Sequence, residues 1–276
     1  MHIMSKLLRW AVALVLLALA GGQAMADDTL AKVKASGTIA VGVKNDYRPW
    51  GFLDPSGQIV GMEVDLGQDI AKRLGVKAKL VPVVAANRME FLQQGNIDAI
   101  IATMSDTPER RKVVGMIEPQ YYASATNVLA PKSAHLHEWT DLSGKKVCGV
   151  QGAFYNRGVE QKYKVEIVSF AGVPDALKAL QSGTCIAFVY DDTFVQSTLS
   201  AKDPQWADYE MPLKSEDPQP WAIGVRLDDV SGPFGQFLSK TSEEWHRTGY
   251  LIDLEKKWGI TPSPFLVQMH DKYAVK

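Results

Sequence analysis

The chain has 276 residues, of which 46% are hydrophobic and 22% charged, the make-up of an ordinary globular protein with an ample core. Its formal net charge of -1 at pH 7 argues against a nucleic-acid partner, because neutralising phosphates takes a clustered basic excess. Two cysteines and five histidines show no metal-ligand spacing, so neither a metal nor a cofactor is expected.

The first twenty-six residues read as a secretory signal. Lys6 and Arg9 give a basic start, an uncharged and mostly apolar run follows from Trp10 to Gly22, and Ala24-Met25-Ala26 supplies a small-x-small cleavage pattern. The run falls short of the roughly 18–20 apolar residues that a bilayer requires, and Asp27-Asp28 follow at once. Cleavage after Ala26 and a periplasmic location are expected. No cysteine stands near that site to take a lipid anchor.

Strand and helix signals then alternate. Thr38–Val43 is a β-branched run. Asp54-Pro55-Ser56-Gly57 is a turn. Glu63–Leu74 carries apolar residues at helical spacing and closes on Gly75. Val76–Val84 reads as a strand, Arg88–Gln94 as a short helix ending at Gly95, and Ile97–Ala102 as an apolar strand covered on both faces. Thr107-Pro108-Glu109 opens a further helix, with proline in its first turn. This βαβ rhythm predicts a parallel α/β lobe.

The rhythm restarts after Pro131. Strands are expected at Lys145–Val150, Val165–Phe170 and Ile186–Tyr190, with helices within Gly152–Tyr163 and over Val173–Gln181. A polar, proline-rich stretch covers Asp203–Pro220. A strand at Ala222–Val225 and helices at Phe234–Arg247 and Leu251–Lys257 complete the chain. The expected fold class is α/β with two lobes and two crossings, near Ala130-Pro131 and within Pro212–Pro220. Lobe one then comprises residues 27–130 and 218–276, and lobe two residues 131–217. A single continuous sheet is the alternative. Cys148 and Cys185 both fall in lobe two; an oxidising compartment permits a disulfide between them, which is the expected state, with two free buried thiols as the alternative.

Several segments carry a family resemblance. GMEVDLGQDIAKRLG (Gly61–Gly75), GNIDAIIATMSDTPERRKVV (Gly95–Val114), QSGTCIAFVYDD (Gln181–Asp192), WAIGVR (Trp221–Arg226) and KKWG (Lys256–Gly259) resemble, in order, the segments of bacterial periplasmic amino-acid-binding proteins of ABC transporters. The match is to the polar amino-acid group. Each segment alone is weak, but together they span nearly the whole mature chain. The resemblance implies two flexibly joined lobes that close on a ligand.

An α-amino acid needs a fork of donors for its carboxylate, and arginine supplies one in bidentate geometry. The resemblance puts Arg110 in that role, preceded by the hydroxyls of Thr103 and Ser105 and helped by a helix N-terminus near Thr107. It puts Asp191 against the ammonium; Asp192 is the alternative, and strand alternation sends the two neighbours to opposite faces. Tyr47 stands at the family's stacking position, whereas nearby Trp50 reads as core. Ala153 and Phe154 replace hydroxyl residues found in many relatives, which leaves the lobe-two contacts to backbone N–H groups and Asn156.

Arg88, in ANRMEFL, resembles the arginine that meets a side-chain carboxylate in glutamate- and aspartate-binding members. Lys44 ends the first strand at a position that those members also fill with a basic residue. Together they favour an anionic ligand tail, with glutamine, asparagine and sulfur-containing amino acids as alternatives. The expected partners are the amino acid and a membrane ABC-transporter permease, with the protein a monomer and not an enzyme. A dehydratase-like enzyme on the same scaffold would need a poised carboxylic acid, for which Glu90 is the weak candidate. A receptor sensor domain would need fused membrane or signalling segments, and none is read in the sequence.

Overall fold

The computed structural model describes residues 29–274; the expected signal segment and its cleavage site lie outside them. Helix α1 (Thr29–Ser36) leads into strand β1 (Thr38–Val43), and a small antiparallel sheet follows from β2 (Asp46–Tyr47), β3 (Gly51–Leu53) and β4 (Ile59–Val60). Next come α2 (Met62–Leu74), β5 (Lys77–Pro82), α3 (Arg88–Gln93), β6 (Ala99–Ile100) and β7 (Gly115–Met116). Helix α2 forms because Val64, Leu66, Ile70 and Ala71 fall on one buried face. It stops at Gly75, whose φ of 69° takes the left-handed cap and returns two backbone bonds to the last turn.

The second group of elements is β8 (Tyr122–Pro131), β9 (Lys146–Val150), α4 (Asn156–Tyr163), β10 (Glu166–Phe170), α5 (Val173–Gln181), β11 (Ala187–Asp191), α6 (Asp192–Ser200), β12 (Tyr209–Glu210) and β13 (Glu216–Trp221). The chain then returns through β14 (Gly224–Val225) to α7 (Pro233–Thr248), α8 (Tyr250–Trp258) and α9 (Pro264–Ala274). Two sheets result, one for each lobe. The first runs β5-β1-β6-β14-β7; the second runs β10-β9-β11-β8-β12, with β13 also on β8.

The parallel βαβ expectation holds for β5, β1 and β6 and again for β10, β9 and β11. Both sheets are nevertheless mixed, because β14 and β7 join the first antiparallel and β8 joins the second antiparallel. The helix expected from Thr107 is replaced by one 3-10 turn, Arg110–Lys112. The chain must enter β7 at Gly115, where it pairs with Val225, and this leaves no length for a longer helix.

The two lobes are joined by paired backbone. Ile117 N–H donates to Ile223 O at 3.0 Å and Tyr121 N–H to Trp221 O at 2.9 Å, and Tyr122 pairs with Trp221 at the start of β8. The chain thus leaves the first sheet over residues 117–121 and returns over 221–223. The expected crossing points at Ala130-Pro131 and Pro212–Pro220 fall at the far end of β8 and in and before β13, within the second sheet. Trp50, Tyr122 and Trp221 are fully or almost fully buried against one another beside these strands.

Cys148, on β9, and Cys185, just before β11, are disulfide-bonded, with Cα atoms 5.5 Å apart and a sequence separation of 37. Closing a loop of that length should stabilise the fold by about 3–4 kcal/mol on chain-entropy grounds. Replacing both cysteines with serine should lower the unfolding free energy by that order in a urea titration. Unchanged stability would mean that the bridge contributes nothing in solution.

Candidate ligand-binding site

Where the lobes face each other, one small polar cavity gathers charged residues from both. Arg88, Thr103, Ser105 and Arg110 come from the first lobe, and Tyr190 and Asp191 from the second. Ala85, Ala153, Phe154 and Tyr155 close its apolar side. Its volume is about 20 Å³, the room of roughly one water molecule, so the walls must part to admit an amino acid. A larger groove of about 660 Å³ lies between the β2–β3 hairpin and helices α5 and α6. It is open and mostly apolar and has no convergence of buried charges.

Each wall is placed by local geometry. Arg88 opens α3 and is 3% exposed; its Nη1 donates to Ala102 O. Arg110 begins the 3-10 turn, with its backbone N–H on Thr107 Oγ1 at 3.3 Å. Its Nη1 donates to Ser105 O at 2.9 Å, and its Nη2 reaches across the cleft to Gly152 O at 3.1 Å. Gly152 has a φ of 80°, and a Cβ there would lie 2.6 Å from the backbone carbon of Ala85. Glycine therefore lets the second-lobe loop approach the first lobe this closely.

Asp191 ends β11 and stands at the N-cap of α6, where its backbone leaves the strand. Tyr190 and Asp191, neighbours in sequence, both line the cavity. Asp192 turns the other way, and its Oδ1 accepts from Ser124 Oγ at 2.8 Å and Ala125 N–H at 2.9 Å. Asn156 is also turned aside, with Nδ2 on Val150 O at 2.8 Å. Glu90 is exposed outside the cavity and accepts from Gln94.

Lys44 and Tyr47 sit behind the cavity wall. The Tyr47 ring is fully buried among Trp50, Tyr190, Phe194 and Trp221. Its hydroxyl donates to Asp191 Oδ2 at 2.8 Å across the lobes. The fully buried Lys44 Nζ lies 2.8 Å from Asp46 Oδ1, an ion pair behind the wall. Asp46 uses its other oxygen to accept the Val173 N–H at the start of α5, at 3.1 Å, a further polar contact between the lobes.

Burial dominates the electrostatics. Desolvation lowers Arg110 to about 9, helped by the nearby Arg88 charge and opposed by Asp191. Arg88 and Lys44 are lowered by the same cause. Desolvation raises Asp191 to about 7, against the hydrogen bond from Tyr47. A second buried carboxyl, Glu63 on α2, is also raised to about 7 by desolvation, against hydrogen bonds from Tyr121 and Thr103. Sequence reasoning singled out neither Glu63, Tyr155 nor Tyr190 for the site. A glutamate at the second position of an otherwise amphipathic helix, on its buried face, was the signal available for Glu63.

Two α/β lobes joined by a pair of hydrogen-bonded strands, with opposite charges facing across a desolvated cleft, define a solute-binding protein. The family of bacterial extracellular solute-binding proteins, family 3, matches residues 39–261, and the chain belongs to it. A glutamine-binding protein of an ABC transporter from Bacillus subtilis is 28% identical over 237 residues, covering 84% of each chain. The glutamate/aspartate import solute-binding protein of Escherichia coli is 26% identical over 274 residues, covering 92% of this chain and 89% of that one. A crystal structure of a cysteine-binding protein from Campylobacter jejuni superposes with a TM-score of 0.78 at 25% identity, covering 84% of this chain and 92% of its own.

The two raised carboxyls set a pH dependence. Folding lifts Asp191 from 3.8 and Glu63 from 4.5 to about 7, so the folded protein binds their protons more tightly than the unfolded chain. Their contribution is fully present below the unfolded values and is lost as pH rises through the folded ones. Stability should therefore fall between about pH 4 and pH 7 and then level off. Asp191→Asn and Glu63→Gln should each flatten that slope in urea titrations across this range; a slope unchanged in both would show that neither carboxyl carries it.

Proposed function

We propose that this protein is a periplasmic binding protein for import by an ABC transporter, capturing an amino acid with an anionic side chain, glutamate or aspartate. The family membership supports the transport role, and relatives with named ligands bind amino acids. The observation that carries the ligand class is the charge balance of the cavity, where two guanidiniums face one carboxylate. Arg110 takes the α-carboxylate, with the hydroxyls of Thr103 and Ser105 beside it. Asp191 takes the α-ammonium, with Tyr47 steadying its second oxygen. Arg88 is then left as a desolvated cation whose match is a carboxylate on the ligand's side chain, and Lys44 adds positive potential from behind.

One observation favours a second reading. Glu63 interacts electrostatically with both Arg88 and Lys44. When ionised it offsets part of their charge, and the tail pocket then suits a neutral polar group such as the glutamine amide.

Isothermal titration with glutamate, aspartate, glutamine and asparagine separates the readings. Arg110→Ala and Asp191→Ala should each weaken every ligand by about 2–5 kcal/mol, since each leaves a desolvated charge without its partner. Arg88→Ala should weaken the acidic ligands by a similar amount and the amides much less. Equal losses for acids and amides would make Arg88 a structural residue and remove the main support for an acidic ligand.

The cycle also needs motion, because the cavity as it stands admits no amino acid. The lobes open and close about the paired strands at residues 117–122 and 221–223, bringing the monomer from an open form to one the permease can accept. Hinge closure of this kind is the usual response of two-lobed binders. The radius of gyration from small-angle scattering should fall on adding a bound amino acid, and no change with binding confirmed by titration would overturn the hinge. Asp46→Ala removes the contact with the N-terminus of α5, so it should shift the ligand-free protein toward the larger radius.

A further inference from the structure

The loop that carries Thr103 and Ser105 begins with an unfavourable backbone. Thr103 has a φ of 47°, in the left-handed region that residues other than glycine seldom occupy, and least readily when β-branched. Such a conformation persists only where its surroundings hold it.

The peptide group entering Thr103 is held at both ends. Its carbonyl, Ala102 O, accepts from Arg88 Nη1, and its N–H, on Thr103, donates to Glu63 Oε1 at 2.6 Å. Glu63 is fully buried, and the Tyr121 hydroxyl donates to the same Oε1 at 2.5 Å. Its Oε2 and the Arg88 Nε are buried and find no hydrogen-bond partner among the described residues. Downstream, the loop is tied to the crossing strand by Asp106 N–H on Pro220 O at 2.8 Å and Ala222 N–H on Met104 O at 3.0 Å.

We infer that Glu63 and Arg88 form a clamp on the Ala102–Thr103 peptide, and that Glu63 is thereby a positioning residue for ligand binding. The clamp fixes the peptide plane from which Thr103 turns, and so aims the hydroxyls of Thr103 and Ser105 beside Arg110. Arg88 has a double part, holding the loop with Nη1 while its remaining donors stay available to a ligand. This deepens the proposed amino-acid site and rests on that reading for its functional consequence, though the clamp itself is made of protein atoms alone.

The charged and titratable groups around Glu63 are Lys44 from the end of β1, Arg88 from α3, Tyr121 before β8 and Tyr190 from β11. Both donors to Glu63 converge on Oε1, so Oε2 can carry a proton while Oε1 still accepts. The clamp therefore holds in acid and carboxylate forms alike, and an amide can replace the carboxyl. A side chain of similar size with no oxygen cannot.

The test compares Glu63→Gln with Glu63→Met and reads Thr103 amide hydrogen exchange without ligand and L-glutamate affinity by titration at pH 8. Glu63→Gln should keep the amide protected and bind glutamate at least as tightly as the parent, since it also removes the charge that offsets Arg88 and Lys44. Glu63→Met should speed exchange at Thr103 and weaken glutamate about 10- to 100-fold, the loss expected for a hydrogen bond to a charged group. Thr103 exchange in Glu63→Met as slow as in the parent would overturn the clamp, as would equal affinity losses in the two variants. If the methionine variant fails to fold, the parent alone decides. Its Thr103 amide proton shift should titrate with the same midpoint as the Glu63 carboxyl carbon, and an amide that stays flat while the carboxyl titrates would overturn the inference. Should the parent not bind glutamate at all, the ligand reading fails while the exchange data still judge the clamp.

Discussion

Two guanidinium groups taken out of water within one cavity are the constraint on which the rest of this molecule turns. A desolvated cation is costly unless hydrogen bonds and opposite charge replace its hydration. Arg110 meets part of that need with the carbonyls of Ser105 and Gly152, one from each lobe. Arg88 meets part of it with the carbonyl of Ala102. Both keep donors to spare, and the one carboxylate among the described residues that line the cavity, Asp191, comes from the opposite lobe. An arrangement of this kind is completed by a solute carrying its own charges, and its strength depends on how fully the two lobes exclude water around it.

The scaffold that aims these groups is continuous with the hinge. The loop bearing Thr103 and Ser105 exchanges backbone hydrogen bonds with residues 220–222, and Ser105 forms a bridge to Trp221 itself. Trp221 also pairs with Tyr122 at the point where the chain enters the second sheet. The donors for a ligand's carboxylate and the strands about which the lobes turn are thus fastened to the same short segment. Rotation of one lobe against the other can leave the Thr103–Ser105 loop in place, because its backbone hydrogen bonds run to the crossing segment itself, while the bonds from Arg110 to Gly152 and from Tyr47 to Asp191 span the lobes and must break on opening.

Aromatic packing ties the second half to the first. Tyr47 touches Trp50 and Trp221 on its own side and Tyr190 and Phe194 from the other lobe, with ring centroids 5.0–6.0 Å apart. Its buried ring brings apolar contact and its hydroxyl a polar handle, which here reaches Asp191. The carboxylate is thereby oriented by a residue of the lobe it closes upon. Asp46 does the same at the edge of the interface by accepting the first N–H of α5, where the helix dipole favours a negative charge.

Much of this was written locally. The β-branched run at Thr38–Val43, the amphipathic helix closed by Gly75 and the helix at Val173–Gln181 follow from periodicity and capping, which act over a few residues, and the structure contains all three. Motif resemblance pointed to Arg88, Thr103, Ser105, Arg110 and Asp191, and these five line one cavity. Sequence did not reveal β8, whose ten residues lie between the two βαβ runs and pair with β11, β12 and β13. A strand of that sort is defined by partners 59 to 99 residues away, not by its own alternation. The same holds for Glu63 and for the places of Lys44 and Tyr47 behind the wall. Whether a charged or aromatic side chain faces a ligand, a neighbour or a buried peptide depends on which distant segments fold against it, and only tertiary packing fixes that choice.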